Sequence, residues 1–219
     1  MDVSIVLVNY FSSGPLRECL NSLPEAVRDL ECETIVVDNS PEDPALAALA
    51  GRVPGLRILS NPVNRGFARA CNQGAAEARG TALLFLNPDT ILADQSVKRM
   101  WNYLQAHPDA GALGPRVLNP DGSLQHSCRR FPTLGAGLFN RYSLLSRVFP
   151  RNPVTARYLM TDFDHKTTRD VDWVSGCCLM VSRKAFETAG GFDERFFLFN
   201  EDVDLCRTLN HRGFRVVYF

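Results

Sequence analysis

Polar side chains that could bind a nucleotide follow two apolar segments of the chain. Asp38 comes directly after residues 34–37, and Asn9 and Tyr10 come directly after residues 3–8. The Asp38 carboxylate could accept a hydrogen bond from N3–H of a pyrimidine base, and Asn9 and Tyr10 could frame the same base. Asp and Asn also end strands simply as turn formers. For each residue taken alone, the turn former is the commoner outcome.

A second carboxylate, Asp89, follows the apolar residues 81–86 in the sequence Asn87-Pro88-Asp89. A carboxylate just outside a buried strand is well placed to hold a hard cation such as Mg²⁺ or Mn²⁺ against phosphate oxygens. One carboxylate is an incomplete metal site, so a diphosphate and another protein ligand would have to complete it. The same tripeptide also fits a Pro-Asp turn with a solvated carboxylate, and the two interpretations are equally weighted.

Glu201 and Asp202 stand where a helix is predicted to begin, after Asn200. Free N–H groups and the helix dipole favour ionised carboxylates at such a position, as a general base requires. Acidic residues in a first helical turn are also an ordinary capping pattern. The aromatic run at 196–199, which could wall off a dry face, favours the catalytic interpretation.

The elements that must position these residues alternate between strands and helices. Apolar, β-branched runs predict buried strands at 3–8, 34–37, 56–59 and 81–86, and helical periodicity predicts helices at 15–30, 44–50, 66–78 and 94–106. Such alternation implies right-handed crossovers and a mostly parallel, doubly wound α/β sheet with helices on both faces. Ligands bind beyond the carboxyl ends of the strands in such sheets.

The second half of the chain is less regular. We expect a strand near 112–113, a hairpin turn at 119–122, one strand over 173–182 and a helix from 200 to 213. Residues 129–151 mix arginines with apolar side chains. They fit either a peripheral helix pair with arginines over its apolar face or, less strongly, a basic surface that rests on anionic lipid.

Composition excludes several classes of protein. The chain has 219 residues, 45% of them hydrophobic, and its 24 basic and 24 acidic residues balance, which argues against disorder and against a nucleic-acid partner. Seven scattered cysteines without metal-site spacing indicate reduced thiols in a cytoplasmic protein. No secretory signal is recognisable, and no apolar run is long enough for a membrane-spanning helix.

Six motifs, taken in order, resemble the motif series of inverting family-2 glycosyltransferases, particularly the rhamnosyltransferase-like branch. They cover nearly the whole chain and are specific to the family, but much less specific to the sugar. The motifs are VSIVLVNY at 3–10, VVDNS at 36–40, NRGFARACNQG at 64–74, LFLNPDT at 84–90, GCCLMV at 176–181 and GFDERFFLFNEDVD at 191–204.

The resemblance implies a role for each candidate residue in a GT-A fold. Asp38, with Asn39 beside it, would contact the nucleobase, and Arg65 and Asn72 would border the nucleotide pocket. Asp89 would occupy the last position of the D-x-D metal motif, whose first Asp is replaced by Asn87. Asp202 would be the catalytic base, with Glu201 next to it.

The implied reaction is the inverting transfer of a sugar from a nucleoside diphosphate donor, a dTDP- or UDP-sugar, to a glycan or lipid-linked acceptor. The branch suggests dTDP-L-rhamnose and cell-envelope or O-antigen synthesis, with possible membrane contact through 129–151 at the inner face of the plasma membrane. The alternatives are a noncatalytic nucleotide-sugar-binding module and a sugar-phosphate nucleotidyltransferase. The latter should carry a Gly-rich basic loop after the first strand, and Ser12-Ser13-Gly14 is a poor match.

We expect a single domain over 1–219, with a donor-binding half at 1–115 and an acceptor and catalytic half at 116–219. The apolar run 215–219 at the end of the sequence predicts a strand that would be left unsupported there. That expectation points to a chain cut short at its C-terminal end, although an edge strand that closes the domain is the alternative.

Overall fold

The structure is a computed structural model, and it describes residues 1–40, 45, 46, 49, 55–132 and 153–219. The strands are β1 Val3–Asn9, β2 Cys32–Asp38, β3 Leu56–Ser60, β4 Ala82–Leu86, β5 Ala110–Gly114, β6 Val117–Leu118, β7 Leu124–Gln125, β8 Cys128–Arg129, β9 Arg169–Asp170, β10 Trp173–Val174, β11 Cys178–Ser182 and β12 Arg215–Tyr218. The helices are α1 Ser13–Ala26, α2 Phe67–Glu77, α3 Ser96–Ala106, α4 Pro153–Leu159, α5 Arg183–Ala189 and α6 Glu201–His211.

Eight of the described strands form one sheet, in the order β3-β2-β1-β4-β11-β5-β12-β9. The pairs within β3-β2-β1-β4 are parallel, and so is the pair of β12 with β5. β11 runs antiparallel to β4 and β5, and β9 runs antiparallel to β12. The predicted α/β class with a mostly parallel sheet is therefore confirmed.

Side chains of the central strands alternate between two cores, one on each face of the sheet. Val6 and Val8 of β1 belong to the core that contains residues of α2, α5 and α6. Ile5 and Leu7 belong to the opposite core, with residues of α1 and α3. The period of two along a strand produces this division, and all seven residues of β1 are buried because helices cover both faces.

Most predicted elements of the first half are confirmed to within a few residues. The predicted helix at 44–50 lies mostly outside the described residues. Within this range the structure describes residues 45, 46 and 49, and these are helical. The hairpin predicted around 119–122 is also present, since β6 and β7 pair antiparallel. Residues 133–152, which include most of the predicted 129–151 segment, lie outside the described part of the chain.

Two predictions for the second half are wrong. Residues 173–182 form two strands in different sheets, β10 and β11, because the chain turns at Gly176 and Cys177 to meet α6. The strand at the end of the sequence is not unsupported, since β12 pairs with β5 on one side and β9 on the other. Among the described residues, no helix has the length and apolar character needed to span a membrane.

Candidate active site

The carboxyl ends of β1 and β2 carry a buried polar cluster. Asn9 and Asp38 are register partners, 0% and 4% exposed, and the Asn9 amide donates to Asp38 Oδ1 at 3.0 Å. Ser40 N donates to the same carboxylate oxygen at 2.9 Å. Asn9 Oδ1 accepts from Ser12 N at 3.2 Å, which holds the start of α1 close. Asp38 is thus fixed in one orientation at the edge where parallel sheets bind ligands.

Asn39 links this cluster to the next loop. Its amide donates to Asn64 Oδ1 at 3.2 Å and to the Gly66 carbonyl at 3.1 Å, and its Oδ1 accepts from Asn61 Nδ2 at 2.9 Å. Asn61 is buried and follows β3 directly, as Asp38 ends β2. Because the Asn9 amide also bonds to Ser40, side-chain amides connect the loops that follow β1, β2 and β3.

Three exposed side chains border the cluster. Tyr10 is 54% exposed and Phe11 is 63% exposed, and their rings meet edge to face with centroids 5.0 Å apart. Arg65 is exposed between Asn64 and Gly66, both of which bond to Asn39. An aromatic pair and a cation thus lie in the loops that carry the buried cluster, and such side chains suit a base and a phosphate.

Asn87 and Asp89 form a turn beyond β4. Asn87 N donates to the Cys177 carbonyl at 2.9 Å, Thr90 Oγ1 donates to the same oxygen at 3.3 Å, and Thr90 N donates to the Asn87 carbonyl at 3.2 Å. Asp89 is exposed within this turn. Because β11 is antiparallel to β4, its first residues come to the carboxyl edge of the sheet and can anchor the turn.

Asp202 lies in the first turn of α6, and its Oδ2 accepts a hydrogen bond from Gly176 N at 2.8 Å. Gly176 precedes Cys177, so two consecutive residues hold Asp202 and the turn that carries Asp89. Burial is the main reason that the pKa of the Cys177 thiol is raised, and the negative charges of Asp202 and Asp89 both add to it. Asp202 and Asp89 therefore both lie close enough to Cys177 to affect it.

Glu201 is buried next to Asp202, with 5% of its surface exposed. Its Oε2 has no hydrogen-bond partner within the described part of the chain. Burial, with a smaller contribution from Asp202, raises the pKa of Glu201 to about 7. The pKa of the Cys71 thiol on α2 is raised mainly by burial, and the charge of Glu201 raises it further. A part for Glu201 in catalysis stays a prediction, because the structure places its side chain in the interior.

Asn72 on α2 holds the loop that leads into α6. Its Nδ2 donates to the Phe192 carbonyl at 2.8 Å, and its Oδ1 accepts from Phe192 N at 2.9 Å. Phe67 N, at the start of the same helix, donates to the Phe197 carbonyl at 2.7 Å. These contacts position residues 191–200, and that Asn72 borders the nucleotide stays a prediction.

The motif interpretation gave no role to several residues that hold the site together. Ser40, Asn64, Gly176 and Cys177 lie within the motifs, and Asn61 lies outside them. Asn61 was detectable in the sequence, since it follows a predicted strand just as Asp38 does. The role of Gly176 was not, because the turn that ends β10 appears in the sequence as the middle of one apolar strand.

The metal-binding prediction rests on Asp89. No group of three or more His, Cys, Asp or Glu side chains arranged to hold a metal occurs among the residues that the structure describes. An exposed carboxylate at the carboxyl edge nevertheless fits a cation that takes its remaining ligands from a bound diphosphate and water, as Mg²⁺ commonly does.

The known proteins that are similar in sequence to this chain include glycosyltransferases. Residues 4–190 match the family model for glycosyl transferase family 2. The chain is 35% identical to the N-acetylglucosaminyl-diphospho-decaprenol L-rhamnosyltransferase of Mycobacterium tuberculosis, over 99% of this chain and 73% of that protein. It is 25% identical to the rhamnosyltransferase WbbL of Escherichia coli, over 99% of this chain and 80% of that protein.

Solved structures show the same fold. The mannosyltransferase PcManGT from Pyrobaculum calidifontis, in complex with GDP-Man and Mn²⁺, superposes with a TM-score of 0.63 at 19% identity, covering 98% of this chain. Staphylococcus aureus TarS 1–349 in complex with UDP superposes with a TM-score of 0.66 at 16% identity. The chain spans 53% and 58% of these two chains. The sequence and fold agree, and the chain belongs to the rhamnosyltransferase-like part of glycosyl transferase family 2, whose members are inverting hexosyltransferases of the GT-A fold.

Proposed function

We propose that this protein transfers L-rhamnose from dTDP-L-rhamnose to a lipid-linked or polysaccharide acceptor, with inversion, in cell-envelope polysaccharide synthesis. The observation that carries the proposal is the connection between Asp202 and the turn of Asp89 through Gly176 and Cys177. It brings a candidate base to the edge of the sheet where Asp38 could receive a nucleotide.

The donor would lie across the carboxyl ends of β1, β2 and β4. Asp38 would accept N3–H of the thymine or uracil ring, with Tyr10 against the base. Arg65 is exposed between Asn64 and Gly66, which bond to Asn39, and it would face the phosphates. Burial of Asp38 and its fixed hydrogen bonds support this assignment, because a preorganised acceptor needs little rearrangement on binding.

The transfer itself would be a single displacement. Asp202 takes the proton of the acceptor hydroxyl, and that oxygen forms a bond to the anomeric carbon as the bond between this carbon and the diphosphate oxygen breaks. Gly176 N–H and the start of α6 hold the Asp202 carboxylate in place for this step. Attack opposite to the leaving group inverts the anomeric configuration.

Asp89 is the residue that we expect to hold a divalent cation, Mg²⁺ or Mn²⁺. Such a cation, when bound, would neutralise charge on the diphosphate. The structure of PcManGT, which is a Mn²⁺ complex, supports this assignment by similarity of fold.

The sugar and the acceptor are inferred from the relatives. The M. tuberculosis relative is named for an N-acetylglucosaminyl-diphospho-decaprenol acceptor, and a Shigella flexneri relative, 23% identical, is named dTDP-rhamnosyl transferase RfbF. We extend the lipid-linked acceptor and the dTDP-linked donor to this protein. An acceptor of that kind would bring the protein to the inner face of the plasma membrane.

The base assignment is tested by Asp202→Asn, with Asp204→Asn on the same helical turn as the matched control. We expect Asp202→Asn to lower the rate of rhamnose transfer by about 10³-fold, since a general base contributes roughly 10²–10⁴-fold. Binding of dTDP should be unchanged, because the hydrogen bonds that Asp202 makes among the described residues are to Gly176 N and Val203 N, and not to the cluster of Asn9, Asp38 and Asn39. Transfer near the wild-type rate in Asp202→Asn, with Asp204→Asn equally active, would remove Asp202 from the mechanism.

A further inference from the structure

A cavity of about 440 Å³ opens where β8, α4 and β10 meet. Among the residues that the structure describes, its apolar lining includes Phe131, Val154 and Tyr158, and its charged lining consists of Arg130, Arg157 and Asp172. The cavity thus combines an apolar floor with two arginines and one carboxylate. It lies outside the cluster of Asn9, Asp38 and Asn39.

The two arginines of this cavity and its carboxylate differ in their partners. Within the described part of the chain, neither Arg130 nor Arg157 takes part in an ion pair. Asp172 Oδ2 accepts a hydrogen bond from Phe131 N at 2.7 Å, which engages the carboxylate with the backbone. A third cation, Arg207 of α6, lies over the Phe131 ring at 4.9 Å. The cavity therefore presents guanidinium groups suited to an anion.

The cavity wall is held in place by several contacts. Arg130 N donates to the Tyr158 carbonyl at 3.0 Å, and the Arg130 carbonyl accepts from Trp173 Nε1 at 2.9 Å. The Arg129 guanidinium lies 5.2 Å from the Trp173 ring centroid and 5.7 Å from that of Tyr158. A preorganised wall lowers the entropic cost of binding a ligand.

The cavity is close to the candidate base. Asp172 lines it, and Gly176, four residues later, donates to Asp202. A fully extended chain spans at most about 3.6 Å per residue, so the Cα atoms of Asp172 and Gly176 are at most about 14 Å apart. Arg207 lies on the same helix as Asp202, five residues further along. One acceptor molecule can therefore reach both the base and the cavity.

We propose that this cavity binds the diphosphate of a polyprenyl diphosphate-linked acceptor. Arg130 and Arg157 bind the phosphates, and the first isoprene units lie against Phe131, Val154 and Tyr158. An amphiphile of this kind matches a lining in which arginines adjoin an apolar surface. The inference rests on the proposed function for identifying the ligand as the acceptor.

The test is calorimetric titration of the full chain with farnesyl diphosphate, farnesol and inorganic diphosphate, in EDTA. We expect farnesyl diphosphate to bind at least about tenfold more tightly than either of the others, because each lacks one half of the interaction. Arg157→Gln and Arg130→Gln should each weaken its binding about tenfold. Arg79→Gln, an exposed arginine at the opposite edge of the sheet, is the matched control and should change nothing.

Three results would overturn the proposal. The first is that inorganic diphosphate binds as tightly as farnesyl diphosphate. The second is that Arg157→Gln binds farnesyl diphosphate with the affinity of the wild type. The third is that Arg65→Gln loses this binding instead, which would place the ligand at the donor edge. Titration with dTDP on the same samples distinguishes a failure of the cavity proposal from a failure of the proposed function. Loss of dTDP binding with intact farnesyl diphosphate binding would count against the donor assignment alone.

Discussion

Glu201 and Asp202 are adjacent carboxylates with different surroundings. Asp202 is partly exposed and accepts Gly176 N–H, whereas Glu201 is 5% exposed and has an Oε2 without a partner among the described residues. Removal from water disfavours the charged form of a carboxyl group, so Glu201 is half protonated near neutral pH. Adjacent carboxylates thus have different surroundings. We propose Asp202 as the base, and a part for Glu201 in catalysis stays a prediction.

The burial of Glu201 predicts how stability depends on pH. Its pKa is about 7 in the folded chain against an ordinary value of 4.5, so the folded state binds the proton more tightly. Stability is therefore lost as the pH rises from about 4.5 to about 7, by an amount of the order of 3 kcal/mol.

Replacing Glu201 with Gln should remove this loss. The free energy of unfolding of Glu201→Gln, measured in urea, should rise relative to the wild type between pH 4.5 and pH 8. Glu18→Gln on the exposed face of α1 should show no such trend. A difference between Glu201→Gln and the wild type that is the same at every pH would contradict the assigned burial effect.

At the scale of elements, the loop 193–200 is held against the start of α2 by a close backbone approach. Gly66 has a φ of 84°, and a Cβ there would lie 2.8 Å from the Phe197 carbonyl oxygen. Phe67 N donates to that same oxygen at 2.7 Å. The loop leads directly into α6, so this contact helps to position Asp202.

Gly66→Ala and Gly122→Ala form a matched pair. Both glycines have a positive φ, of 84° and 82°, but a Cβ at Gly122 would meet nothing within 4 Å. We expect Gly122→Ala to cost about 1 kcal/mol of unfolding free energy, from the backbone conformation alone. Gly66→Ala should cost at least about 1 kcal/mol more and should slow transfer. Equal costs for the two variants would show that the approach to Phe197 is not required.

The sequence predicts an element well when a pattern of neighbouring residues determines it, and poorly when contacts with distant residues do. β1, β2 and β4 are recognisable because both faces are buried, which leaves continuous apolar runs. The break at Gly176 is not recognisable, since it results from a tertiary contact with Asp202. The hydrogen bonds that Asn39 makes with Asn61 and Asn64 are not recognisable either, because they join side chains more than 20 residues apart in the sequence.

At the scale of the whole molecule, the two predicted halves of the chain are interleaved in one sheet. β11 and β12, from 116–219, alternate with β4 and β5, from 1–115, in the order β4-β11-β5-β12. Separating the halves would break the β11 pairs with β4 and β5 and the β12 pair with β5. We therefore propose that residues 1–219 fold as a single domain, with the halves distinguished by function only.

This arrangement predicts one cooperative unfolding transition. The two tryptophans report on different halves, Trp101 in α3 and Trp173 in β10. In urea, the fluorescence of Trp101→Phe and that of Trp173→Phe should each follow the far-ultraviolet circular dichroism of the same variant, with coincident midpoints. A fluorescence midpoint displaced from the circular dichroism midpoint in either variant would show that the halves unfold separately.

The central claim, that this chain binds a nucleoside diphosphate sugar at the carboxyl edge of its sheet, is tested most directly by calorimetric titration with dTDP and UDP, each with Mn²⁺ and with EDTA. We expect dTDP to bind more tightly than UDP, with an affinity that Mn²⁺ increases in the wild type but not in Asp89→Asn. No binding of either nucleotide in the presence of Mn²⁺ would contradict the account.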